Sequence, residues 1–273
     1  MNCPHCNSAV VSQLIRTTNL GYRMFRCKVC RRTYNERTDS PFNFVEVPTD
    51  IIFQVLLSRV RYKLSYRDVA EFFLLRGFEF TLETVRDWEE RFLPLFTEQI
   101  RVRRKGKIGK VWLVDETYVK VAGQWYYLYR GIDENGNLVD VRLSATRDMD
   151  GTKAFFAQAV GLHGDNIPDK VATDGLASYP RAIEEELGED VGHEVRPCTE
   201  NPVEQSHRGI KHRYYPTLGF GEFEAAQRFC KAVDEVKNFL RPRNQMGEFV
   251  SLSDRRNRFL VGIHELELLF YSV

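Results

Sequence analysis

No stretch of this sequence is apolar for long enough to cross a bilayer. Runs such as residues 51–57 (IIFQVLL) fall far short of the roughly 18 residues a spanning helix needs. Residues 1–6 lack the basic-then-apolar pattern of a secretory leader, so the expected setting is the cytoplasm, with no membrane partner. Cysteine is scarce. Four of the six fall in two Cys-x-x-Cys pairs, while Cys198 and Cys230 stand alone. Away from the secretory route such pairs point to a metal before disulfides. An overall excess of charge is missing too, but the net +1 hides a split. Residues 1–110 hold 20 Lys and Arg against 12 Asp and Glu; residues 111–273 hold 19 against 26. The first part suits a polyanion and the second concentrates carboxylates, unless the asymmetry is only that of solvated faces.

What is present is ordinary for a globular protein, with 43% hydrophobic and 28% charged residues. A chain of 273 residues has room for one large domain and one or two small ones, since domains run to about 100–200 residues. Cys3-Pro4-His5-Cys6 and Cys27-Lys28-Val29-Cys30 give the spacing C-x2-C-x20-C-x2-C. Each knuckle aims two thiolates at one ion, and two knuckles complete a tetrahedral zinc site. Residues 10–15 and 22–25 alternate enough for short strands, so 1–47 reads as a zinc ribbon in which Zn²⁺ carries the folding energy. Disulfide or redox pairing is the competing reading, and His5 is a bystander. Arg16, Arg23, Arg26, Lys28, Arg31, Arg32 and Arg37 surround the ribbon, with Tyr22, Phe25 and Tyr34 interleaved. That pattern suits nucleic-acid phosphates, although ribbons also bind proteins.

Helical periodicity follows over 48–110. Ile51, Phe53, Val55, Leu56 and Val60 mark a first helix, opened by Thr49 and Asp50. Ser65 and Asp68 form a capping-box-like start before Val69, Phe72 and Phe73, and Gly77 closes that helix. Thr81 opens the next, with Leu82, Val85, Trp88 and Phe92 on its apolar side. Helix, glycine turn, helix is the outline of a helix-turn-helix, a motif also common in proteins that never touch DNA. If it does bind DNA, Thr84, Arg86 and Asp87 approach base edges. Residues 101–110 then form a basic linker.

From Val111 the period becomes that of strands. Val111–Val121 (VWLVDETYVKV), 124–132 and Leu138–Ser144 make an antiparallel meander with an Asn-Gly turn at 136. Asp148 or Asp150 caps a helix through 154–160; Lys170–Thr173 is a buried strand ending at Asp174-Gly175. Residues 177–187 are helical, and 193–196 form a short strand. The order β-β-β-α-β-α-β-α is that of the ribonuclease-H-like α/β fold, a mixed five-stranded sheet with flanking helices. In that arrangement the first and fourth strands are neighbours. Asp115, a carboxylate without a counter-charge amid β-branched and aromatic residues, then lies beside Asp174, and the two repel unless a cation stands between them. Glu116 points to the opposite strand face by alternation, and Asp133, Asp140 and Asp148 are read as turn or cap residues. Asn201-Pro202 opens a helix with Glu204, His207, Arg208, Lys211 and His212 on one face. A further amphipathic helix spans 225–240. The apolar end of the tail, LELLFYSV, packs on the core or on a second subunit.

VDETYVKV, TDGLASYP and NPVEQSHR, in that order, resemble the three acidic motifs of insertion-sequence DDE transposases of the IS-six family. The resemblance covers roughly residues 48–245, and the ribbon resembles an extension found in some members. It implies that Asp115, Asp174 and Glu204 are the catalytic triad. The expected organisation is a ribbon (1–47), a helix-turn-helix unit with basic linker (48–110), a ribonuclease-H-like catalytic domain (111–245) and a tail (246–273). In the expected chemistry two Mg²⁺ or Mn²⁺ ions serve a water attack that frees a 3′-OH at the element end, and that 3′-OH then attacks target DNA. Asp115 bridges both ions, Asp174 and Glu204 hold one each, and His207, Arg208 and Lys211 contact DNA near the cut. No covalent intermediate is needed, so Ser178, Tyr179 and Ser206 are assigned no nucleophilic role. Terminal-repeat and target DNA are the expected partners, with a homodimer pairing two element ends at the nucleoid. The competing readings are a DNA-binding regulator with a non-catalytic core and a metal-dependent nuclease without strand transfer.

Overall fold

The computed structural model describes residues 2–196, 202–214, 219–242 and 250–273, without the side chains of Pro202, Glu204, Gln205, Ser206 and Tyr214. Cys198 therefore lies outside the described residues. The first unit is a small antiparallel sheet, β1 (Val11–Thr17), β2 (Arg23–Cys27) and β3 (Thr33–Asn35), in the order β1-β2-β3. Its interior is little more than Cys3, Cys27 and Tyr34. So small a core needs help. The sheet leans on the next unit through Tyr22, whose hydroxyl accepts from the Thr49 N–H at 2.9 Å. Arg37 does not face solvent as the other basic residues do; it is buried and donates to the Val47 and Phe42 carbonyls.

Three helices follow: α1 (Thr49–Val60), α2 (Tyr66–Leu74) and α3 (Leu82–Arg104). The capping box at Ser65 is complete, and Thr81 caps α3 through the Thr84 N–H. α3 does not stop near Phe92. It runs 23 residues, straight past Pro94, into what reads in the sequence as a linker. Arg101 and Arg104 are buried there. Arg101 donates to Asp140 at 2.6 and 3.1 Å and to Glu235 at 3.1 Å, and Arg104 forks onto Glu235 at 2.7 and 2.6 Å. Asp140 is thus neither a turn nor a cap residue but one half of a buried ion pair.

The main sheet consists of β4 (Val111–Val121), β5 (Gln124–Asp133), β6 (Leu138–Ser144), β7 (Lys170–Thr173) and β8 (Gly192–Val195), in the order β6-β5-β4-β7-β8. β4, β5 and β6 are antiparallel; β7 joins β4 in parallel and β8 joins β7 in parallel. α4 (Met149–His163) and α5 (Tyr179–Leu187) cover one face, where Trp112, Val114 and Tyr129 meet Phe155, Phe156 and Ala182. α6 (Pro202–Tyr214) and α7 (Phe223–Phe239) cover the other. This is the ribonuclease-H-like arrangement. Asp133 accepts from the Asn135 and Asn137 N–H groups of its turn, and Asp148 caps α4 through the Gly151 N–H. The tail forms α8 (Leu252–Tyr271), which packs on α1 and α3. Phe270 sits among Phe42, Phe53 and Phe96 with ring centroids 5.0–5.7 Å away. Burying such a ring is worth about 1.5–3 kcal/mol.

Candidate active site

The acids come together through strand register. β4 and β7 pair as Val111 with Lys170, Trp112 with Val171 and Leu113 with Ala172, and there the pairing ends. Asp115 lies two residues beyond Leu113 and Asp174 two beyond Ala172, so parallel strands carry them to the same height. β7 gives way at Gly175 (φ +91°), where a Cβ would come within 2.8 Å of Val195. Only glycine tolerates that turn. The Leu176 N–H donates to Asp174 at 3.1 Å, fixing the carboxylate at the strand end.

Oxygen atoms of Asp115, Glu116 and Asp174 lie within 4.8 Å of one another. Glu116 does start on the other face of β4, but its carboxylate still lies within reach of the two aspartates where β4 is no longer paired with β7. There Glu116 accepts from the Tyr179 hydroxyl at 2.6 Å and from Arg147 Nε at 2.5 Å. The same guanidinium lies 3.5 Å from Asp174. Carboxylates this close repel without a positive charge among them, and Arg147 supplies one. Burial first, and then Glu116 beside it, pushes the Tyr179 phenol well above its ordinary value, so it remains a donor. Neither Arg147 nor Glu116 follows from strand or helix periodicity. The one sequence signal is that Arg147 immediately precedes the cap residue of α4.

Asp115 itself is 5% exposed. Beneath it is His207 of α6, wholly buried, with Nδ1 4.0 Å from the Asp115 carboxylate. Burial, reinforced by Arg130, Lys211 and Lys237, drives the imidazole down to about 2. His207 is therefore neutral and internal rather than a cation on the DNA side: α6 packs flat on β4, and the histidine is on the packed face. Arg208 is exposed and Lys211 half-buried. Glu204 belongs to α6 between Val203, which packs on Leu113 and Ala172, and His207; its side chain lies outside the described residues.

Two other groups of candidates sit apart from the acids. The sulfur atoms of Cys3, Cys6, Cys27 and Cys30 all lie within 4.8 Å of one another, with the Cys3–Cys30 and Cys6–Cys27 pairs at 3.6 Å. Tetrahedral zinc with Zn–S bonds near 2.3 Å needs sulfur–sulfur edges of about 3.8 Å, so the set fits. The Cys30 N–H, donating to Cys27 Sγ at 3.4 Å, leads in lowering that thiol to about 6, in the range where it is a thiolate at neutral pH. On α3, Arg86 and Asp87 are exposed, whereas Thr84 is half-buried with its hydroxyl 3.3 Å from that of Thr81.

Residues 109–243 match a family described as a DDE domain. The transposase for the insertion sequence-like element IS431mec of Staphylococcus aureus is 34% identical over 179 residues, spanning 63% of this chain and 77% of that protein. The transposase for insertion sequence element IS257 in transposon Tn4003, also from Staphylococcus aureus, matches over the same shares at the same identity. The chain belongs to the DDE transposases of insertion sequences. It is thus an enzyme that transfers polynucleotides, acting on DNA. Among solved structures, the catalytic core of HTLV-2 integrase in complex with magnesium is 22% identical, covering 47% of the transposase and 86% of that chain, at a TM-score of 0.36. The BIV integrase catalytic core is 14% identical over 57% and 97%, also at 0.36. Among the described residues of the transposase, no helix is long and apolar enough to cross a membrane.

Proposed function

We propose that this transposase cleaves the ends of its insertion sequence and joins the freed 3′-OH to target DNA at Asp115, Asp174 and Glu204. The observation that carries this reading is the shared height of Asp115 and Asp174 on parallel β4 and β7, with their carboxylates in one cluster. Glu204 is the third member through its place on α6, three residues before the histidine that lies under Asp115. These acids would hold the Mg²⁺ or Mn²⁺ ions of the reaction. When bound, such ions activate the attacking oxygen and neutralise charge at the scissile phosphate. The chain's own residues do the positioning. Arg208 and Lys211 steady DNA beside the cut, and His207 supports Asp115 from below. Tyr179 is engaged with Glu116 and Ser178 with Thr152, which fits in-line transfer without a protein nucleophile.

The four cysteines hold a structural Zn²⁺ in the unit 1–47. Thr84 and Arg86 of the helix-turn-helix unit (48–110) meet element-end DNA, the unit 111–245 carries the chemistry, and α8 of the tail (246–273) closes the helical core. Pairing two ends calls for a homodimer, working in the cytoplasm at the nucleoid. Incubating the protein with terminal-repeat DNA, target DNA and Mg²⁺ tests the reading. Joined products are expected; cleavage alone, or binding alone, would overturn it.

A further inference from the structure

The strand face that carries Glu116 continues past the acids as a row of rings, partly buried at Tyr127 and exposed at Tyr118 and Trp125. β4 and β5 pair Glu116 with Tyr129, Tyr118 with Tyr127 and Lys120 with Trp125. Alternation puts all six on one face. Tyr129 is buried against Phe155 of α4, but beyond it the face is open: Tyr118 is 48% and Trp125 55% exposed. The Tyr118 ring centroid lies 5.3 Å from that of Tyr127 and 6.2 Å from that of Trp125, and Lys120 Nζ lies 5.8 Å from the Trp125 centroid.

The row stands on a braced support. Ala122 (φ 48°) and Gly123 (φ 82°) make the tight two-residue turn that suits the twist of paired strands. The Ala122 N–H donates to the Phe220 carbonyl at 2.7 Å, and the Phe220 N–H donates to the Lys120 carbonyl at 2.9 Å. Phe220 in turn packs on Phe229 of α7. The hairpin tip is therefore pinned to the body of the protein; Tyr127 packs at the edge of the core that holds Phe155, while Tyr118 and Trp125 stay at the surface. One cross-strand aromatic pair is explained by hairpin stability alone. Three rings with a lysine, on the strand face that carries Glu116 and its partner Arg147, are not.

We propose that Tyr118, Tyr127, Trp125 and Lys120 form a platform on which unpaired bases of the DNA strand stack next to the phosphate being cut or joined. Any base offers a π-face to such rings, and Lys120 supplies charge for the backbone; this pairing of aromatics with cations is how single strands are held. The inference rests on the assignment of DNA chemistry to Asp115 and Asp174, and its test is separable from that assignment.

Trp88 and Trp112 are buried, so Trp125 is the tryptophan that DNA meets. The full chain, without added divalent metal, is titrated with a fluorophore-labelled oligothymidylate for affinity and an unlabelled one for tryptophan emission. Binding is expected to quench the emission. Trp125→Ala should lose the quenching and weaken binding about tenfold, Tyr118→Ala should weaken it similarly, and Trp125→Phe, which keeps a ring, should retain most of the affinity. Thermal melts verify that each variant is folded. Wild-type affinity in a Trp125→Ala/Tyr118→Ala double variant would overturn the proposal. So would unchanged DNA affinity with loss of dimer in sedimentation, which assigns the row to a second copy of the chain. Strand-transfer assays on the same preparations keep the two readings apart. If Asp115→Asn still joins DNA while Trp125→Ala loses the oligonucleotide, the acid assignment fails and the platform stands; the reverse pattern removes the platform alone.

Discussion

Arg147 holds two carboxylates that would otherwise repel each other, donating to Glu116 and lying 3.5 Å from Asp174. A metal ion held by Asp174, as proposed, would compete for the same carboxylate. Arg147→Ala should therefore be less stable without metal and gain more from Mg²⁺. The difference in melting-temperature shift should be about 2–4 °C for each kcal/mol of added binding, and equal shifts in the two proteins would contradict this role. At this scale the sequence was only partly legible. Asp115 stands out because an acid amid valines and aromatics is costly to bury unpaired. Glu116 is hidden by strict alternation, which fixes the face a side chain starts from but not how far a long one reaches. His207 is hidden for a related reason. Helical spacing groups it with Arg208 and Lys211, but spacing does not say which side of that arc packs on the sheet.

Among the elements, α3 ties the α1–α3 helical unit to the main sheet. Residues 101–110 look like a solvated linker because six of ten are basic, yet Arg101 and Arg104 turn inward to partners more than thirty residues away, Asp140 and Glu235. Nothing local in the sequence announces those partners. Arg101→Met should cost about 3–5 kcal/mol in denaturant unfolding, since it strands a buried carboxylate. Burial alone would raise the Asp140 carboxyl, but Arg101 outweighs it and holds the group below the usual carboxylate range. The sign follows. An acid depressed in the folded state stabilises above the unfolded value of about 4 and loses that contribution as pH falls further. The wild type should lose stability on acidification below about pH 4 more steeply than Arg101→Met; parallel pH profiles would contradict the pairing. The ribbon makes a second prediction for an element. One zinc per chain is expected by metal analysis, and Cys27→Ser should release it and unfold residues 1–47 while the main sheet stays intact. Its cysteine spacing was fully legible; its third strand, three residues long, was not.

On the scale of the whole molecule, the charge split of the sequence corresponds to a spatial order. The basic ribbon leans on α1 through Tyr22 and Thr49, α8 seals the helical unit with Phe270, and α3 passes its ion pairs to β6 and α7. The ribbon, the helical unit and the sheet that carries Asp115 and Asp174 are thus joined by packed contacts rather than by a free linker. The measurement that bears most directly on the account is strand transfer by variants of the acids, with DNA binding and zinc content measured in parallel. Asp115→Asn, Asp174→Asn and Glu204→Gln should each abolish joining, losing well over the roughly 10–100-fold that changes to outer-shell partners of a metal site cost, while still binding element-end DNA with zinc in place. Joining at the wild-type rate by any one of the three would contradict it.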